Sequence, residues 1–257
     1  MGYFNVTVKP EIAASLQHTA AFAAGDALFD WVSFEIPKGG AKLIGATMMV
    51  RPKGNASPSP NEFGAYLVFA TNDTGSAWTL NSSPTHEPFN DWIGFVEFDD
   101  ASSFASSMNS TSLAVSGRAA SDNGDHPSIV FAREDGSEGQ GSSVGYDKFY
   151  MRGIANGAFD FISINAIAED TAADAAASQV ITMDGSSMDV REHFIAGDVL
   201  HIGTTVGTPA ADSLIGTVAS ADSATQITLE AVSPTALVDG DILYNLNPIR
   251  IVLHFEN

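Results

Sequence analysis

Two short stretches late in the chain carry residues that metal sites and turns have in common. "AGDVLHIG" (196–203) and "DGDILYNL" (239–246) each set a Gly-Asp pair before an apolar run, with His201 or Tyr244 three positions after the aspartate. A calcium loop of the helix-loop-helix type needs oxygen ligands at alternate positions and a closing glutamate. Asp198 and Asp241 instead stand alone, and a third copy, "AGDALF" (24–29), opens another apolar run. The simpler chemistry is a turn, in which glycine takes a positive φ and the aspartate caps the backbone at a strand entry.

Other residues are grouped closely enough to act together. "SDNGDH" (121–126) offers Asp122 and Asp125 as calcium candidates, although a solvated acidic loop explains the same residues more simply. The six histidines show neither His-x-His nor His-Glu-x-x-His spacing, so no further metal ligand is assigned. There is no Gly-x-Ser-x-Gly elbow, and the Gly-rich "GSEGQGSSVG" (136–145) lacks the Lys-Ser/Thr of a phosphate loop. No catalytic residue and no cofactor follow from these patterns, and the expectation is a protein that is not an enzyme. One loop, "SAWTLNSSPTHEPFNDW" (76–92), brings Trp78, Phe89 and Trp92 together with amides and acids. Such a set suits a glycan-binding platform; alternatively, the aromatics pin a long loop to a sheet.

Composition narrows the partners. Against 31 acidic residues stand 11 basic ones, a formal net charge of -20, so a phosphate backbone is repelled and nucleic acid is not an expected partner. The chain has no cysteine, which removes disulfides, thiolate metal sites and thiol nucleophiles. No apolar run approaches membrane-spanning length and "MGYFNVTVKP" does not read as a secretory signal, so a soluble product made in a cytoplasm, with no membrane partner, is expected.

The elements that would position these residues are strands. Alternating or aromatic-rich runs occur at 3–8, 27–37, 41–52, 63–71, 91–99, 112–120, 128–134, 147–154 and 158–169, divided by Gly, Pro, Asn, Asp and Ser. Helical evidence is confined to 10–27 and 101–112. The pattern predicts an all-β fold, a β-sandwich or jelly roll. Composition shifts at "EDTAADAAASQ" (169–179), after which a smaller, barrel-like β unit follows. Its "IGTVASADSATQITLEA" reads as a hairpin turning at Ser220–Ser223, with Val218, Ile227 and Leu229 on one face. "NPIRIVLHFEN" then resembles the first region again. The expected organisation is a sandwich of 1–174 plus 247–257, with a small β domain, 175–246, inserted before the last strand; a plain tandem arrangement of the two units is the alternative.

In segment pattern, "DALFDWVSFEIPKGGAKLIGATMMVRPKG" and "GTVASADSATQITLEAVSPTALVDGDILYNLNPIRIVLHFEN" resemble auxiliary structural proteins of tailed phages, especially those of marine and cyanobacterial hosts. The resemblance implies a capsid decoration or cement protein on the virion exterior, assembled in the host cytoplasm. Its partners would be copies of itself and the major capsid protein or other virion proteins. The second reading, from the aromatic loop, is a carbohydrate- or receptor-binding module of a neck, vertex or fibre, with surface glycans as partners.

Overall fold

Period-two alternation of apolar and polar residues governs the structure: the last strand alternates buried and half-buried side chains along its whole length, and the first is inward-facing at Phe4, Val6 and Val8. The computed structural model describes residues 2–18, 21–51, 64–73, 77–84, 91–98, 106–107, 113–116, 118–119, 127–133, 144–158, 161, 167–168, 179–183, 189–205, 208–237 and 241–257. In chain order these form β1 (Tyr3–Val8), α1 (Ala14–His18), β2 (Ala27–Pro37), β3 (Ala41–Val50), β4 (Ala65–Ala70), β5 (Trp92–Phe98), β6 (Ser106–Ser107), β7 (Leu113–Ser116), β8 (Arg118–Ala119) and β9 (Ile129–Phe131). There follow β10 (Tyr146–Ala155), β11 (Ile167–Ala168), β12 (Val180–Thr182), α2 (Val190–His193), β13 (Val199–Thr205), β14 (Thr208–Ala221), β15 (Gln226–Leu229), β16 (Ile242–Asn245) and β17 (Ile249–Glu256).

The fold is all-β and its strand pairings are antiparallel. One sheet runs β1-β17-β3-β7-β6, with β9 also on β3; a second runs β2-β10-β4-β5-β8. Their inner faces share one core, and phenylalanines interlock across it. Phe131 of the first sheet sits edge-on to Phe34, Phe69 and Phe149 of the second at 5.7, 5.3 and 5.2 Å, and to its own neighbour Phe255 at 5.4 Å. Strand β10 bends through register shifts around Gly153, where any Cβ would collide with the Phe29 ring. Glycine is required there by close approach.

The third sheet, β11-β16-β13-β14-β15-β12, has its own core of Ile181, Phe194, Leu200, Ile215 and Leu243 with others. Val218, Ile227 and Leu229 are all buried in it, and the turn of their hairpin closes through the Asp222 amide on the Gln226 carbonyl. Strand β14 joins two ladders, pairing with β13 and with β15. Its order is open, with no pairing of β11 and β12 among the described residues. After β16 the chain passes straight into β17, which lies between β1 and β3.

The alanine-rich 10–27, whose helical pattern Gly25 interrupts, holds one five-residue helix among its described residues, and Gly25 at φ 90 lies in the turn before β2. Two local expectations are corrected. Ser106–Ser107, in a stretch read as helix, pair with β7 as strand. Ile167–Ala168, expected in the sandwich, pair with Leu243 and Ile242 in the third sheet, so the small unit draws a strand from before residue 175.

Phe131 is fully buried at the meeting point of both sheets. Phe131→Ala is expected to cost about 3–5 kcal/mol, lost contacts plus a cavity the rigid sheets cannot collapse into. Urea unfolding measures it, with the slope unchanged and the midpoint lowered.

Candidate functional site

Among the described residues charged or aromatic side chains come together in several places, and three of these bear on function. The first is the junction of the sandwich with the third sheet, and it is built around the first Gly-Asp pair. Ile195 to Asp198 form a turn in which the Asp198 amide donates to the Ile195 carbonyl at 3.1 Å and Gly197 takes φ 81. The Ile195 amide donates back to Asp198 Oδ2 at 3.0 Å. Ala23 to Asp26 repeat this geometry, with Gly25 at φ 90 and the Ala23 amide on Asp26 Oδ2 at 2.7 Å. The pair is a turn with an aspartate cap, and it needs glycine.

Asp198 does more than cap. It is 1% exposed, yet Lys9 Nζ lies 3.0 Å from Oδ1, Arg51 Nη2 3.5 Å from Oδ2, and Asn245 Nδ2 donates to Oδ2 at 2.9 Å. Lys9 follows β1, Arg51 follows β3, and Asn245 ends β16, so one carboxylate ties three strand ends from two sheets. Asn247 extends the tie, accepting from the Val199 amide and donating to the Lys9 and Pro10 carbonyls. Gln17 of α1 adds bonds to the Ile12 and Asn245 carbonyls. Burial pushes the Arg51 guanidinium below its ordinary value, while the attraction of Asp198 opposes the shift.

The second place is the outer face of the β2-β10 sheet. Arg152 of β10 is fully buried, its guanidinium lying between the Trp31 ring at 4.1 Å and the Trp78 ring at 4.2 Å. Arg152 Nε reaches Asp30 Oδ1 at 2.8 Å. Trp31 also meets Tyr150 edge-on at 6.5 Å, and Lys148 Nζ lies 5.2 Å over the Tyr150 ring. A desolvated cation between two indoles is worth about 2 kcal/mol or more per ring. Segment 77–84, which carries Trp78, is pinned to the start of β2 by the Ala27 amide on the Ser82 carbonyl and the Asn81 amide on the Ala27 carbonyl. Beside the stack opens a groove of about 440 Å³, lined by Lys9, Glu11, Asp30, Trp31, Ser33 and Leu80 among others.

The third place is the sandwich end opposite the junction. Register aligns Tyr3, Glu256, Lys42 and Val130 in one row across β1, β17, β3 and β9. Tyr3 is 69% exposed and Val130 62%. From the other sheet Tyr146 pairs with Pro37 and follows the fully exposed Val144, while the Lys38 amide binds the Gly145 carbonyl. Since β3 runs from Ala41 at this end to Val50 at the junction, the two ends lie roughly 30 Å apart.

The expected platform is not assembled as such. Trp78 is 6% exposed with a ring face against Arg152, so it anchors its loop and offers no open face for a sugar. Trp92 opens β5, half-buried and paired with Ala70, and β4 separates its strand from β10. Phe89, Asp122 and Asp125 lie outside the described residues. Asp198 and Asp241 are both buried, and no group of three or more His, Cys, Asp or Glu among the described residues is placed to hold a metal. Sequence reasoning missed Trp31, Asp30 and Arg152. The available signal was "MRG", a lone arginine inside an apolar strand, which can be buried only with a charge and aromatic partners. The chain matches no family model, no curated protein and no solved structure.

Asp198→Ala leaves Lys9 and Arg51 facing each other across an empty site, and a loss of about 3–5 kcal/mol in urea unfolding is expected. Asp30→Ala, which removes the carboxylate 2.8 Å from the buried Arg152 Nε, should destabilise more than Arg152→Met, which keeps an apolar stem between the indoles. The ranking of the two unfolding midpoints tests this.

Proposed function

We propose that the chain is a non-enzymatic structural protein of a tailed-phage virion, a decoration protein that docks on the head shell and on copies of itself. The observation that carries this reading is the polarity of the sandwich. One end is locked to the third sheet through Asp198; the other presents Tyr3, Val130, Val144 and Tyr146 to solvent around the β2-β3 turn. Four of the eight exposed large apolar side chains among the described residues lie at this end, which suits it to burial against a partner surface. The buried charges found at the two clusters, Asp198 and Arg152, hold the protein's own strands together, which suits a scaffold. Net charge of -20 keeps such a component soluble at high local density and matches an exterior position better than one facing nucleic acid. The resemblance of the quoted segments to phage auxiliary proteins supplies the assembly, and the major capsid protein is the expected docking partner.

In this arrangement the apolar end sits on the shell and the third sheet projects outward. Binding to phage heads stripped of the protein is measured by co-sedimentation, and self-association by light scattering. Tyr146→Asp with Val130→Asp is expected to weaken shell binding at least tenfold, with the unfolding midpoint unchanged because both side chains are exposed. Wild-type protein that stays monomeric and does not sediment with stripped heads overturns the proposal.

A further inference from the structure

The groove beside Trp31 lies at the junction end of the sandwich, away from the proposed docking end, and its chemistry is that of a ligand site. We infer that it binds a neutral oligosaccharide, with Trp31 as the stacking surface and Asp30, Glu11 and Ser33 as partners for hydroxyl groups. A sugar ring presents an apolar C–H face and a rim of hydroxyls, and it needs one aromatic surface ringed by acceptors and donors. Trp31 supplies the surface in fixed form. Arg152 holds one face of the indole and Tyr150 meets it edge-on, so little side-chain freedom is lost on binding.

The acceptors are in place. Asp30 Oδ1 accepts a hydrogen bond from the Trp31 amide at 2.8 Å and forms an ion pair with Arg152 Nε at the same distance, whereas Oδ2 makes no hydrogen bond among the described residues. That side chain is 34% exposed at the groove, and Glu11 and Ser33 are exposed on its walls. The volume of about 440 Å³ is ample for more than one sugar ring.

Charge selects among saccharides. Within the groove the charges nearly balance, since Arg152 faces Asp30 and Asp198 is shared by Lys9 and Arg51, so selection against anions rests on the chain's net charge of -20. Sialylated or uronic-acid glycans are therefore repelled. An extended peptide added along the β2 edge is the competing occupant. It is disfavoured because segment 77–84 already bonds to both the amide and the carbonyl of Ala27, closing the edge at its start.

The test uses the full chain and needs no phage particle, so its failure is distinct from failure of shell docking. Neutral tetrasaccharides built from glucose, galactose and N-acetylglucosamine are titrated by calorimetry, beside a sialylated tetrasaccharide and an unrelated extended hexapeptide. At least one neutral sugar is expected to bind, and Glu11→Gln and Ser33→Ala each to weaken it about 3- to 10-fold with the unfolding midpoint unchanged. Trp31→Phe, which keeps a ring in the stack, should weaken binding further. No heat with any neutral sugar, equal affinity in all three variants, or preference for the sialylated sugar or the peptide overturns the inference.

Discussion

A single buried carboxylate, that of Asp198, holds the architecture together. A charge withdrawn from water is tolerated only where other charges and hydrogen bonds surround it, and Asp198 meets that demand with Lys9, Arg51, Asn245 and the Ile195 amide. Each partner lies at the end of a different element. Satisfying one oxygen pair therefore fixes where β1, β3 and β16 stop relative to one another. The third sheet cannot shift on the sandwich without leaving this group unpaired. Among the described residues a small apolar cluster at the junction is formed by Ala14, Ile242, Tyr244 and Leu246, with Val199 packed against it. Orientation thus rests on directional polar bonds, while the bulk of stability comes from the two phenylalanine- and aliphatic-rich cores on either side.

Arg152 applies the same logic with a different result. Its guanidinium is desolvated by two indoles and paired with an Asp30 that remains partly in water. The cation is thus trapped, while its counter-ion stays at the wall of an open groove. A loop that would otherwise ride on the sheet is clamped through Trp78, and Trp31 is held rigid at the wall of the groove. Structural locking and a preorganised surface come from one side chain.

Much of this was legible in the residues, for physical reasons. Alternation places the strands because a half-buried sheet needs period two, and β1, β2 and the 218–229 hairpin follow from pattern alone. Glycine before aspartate marks strand entry because the turn needs a positive φ. What alternation cannot show is which partner completes a polar group. Asp198 reads as a local cap because its Ile195 bond is three residues away, but Lys9 and Arg51 are far off in sequence. Trp78 reads either as a sugar platform or as a pin of its loop, and the pin is what forms, but its partner Arg152 is remote in the chain and pattern does not point to it. Short helices and two-residue strands such as Ser106–Ser107 are set by neighbours rather than by propensity.

The placement of β17 has a consequence for the order in which the protein is made. Strands β1 and β3 are synthesised some two hundred residues before β17, yet they bond to each other only through 249–256. Until those residues leave the ribosome, the two strands present unpaired edges on either side of a gap. The third sheet, whose strands all precede that point, can close first. Completion of the sandwich is thus a long-range event that waits on the synthesis of 249–256, and a nascent chain stalled short of residue 249 carries an open edge ready to capture a neighbour's strand.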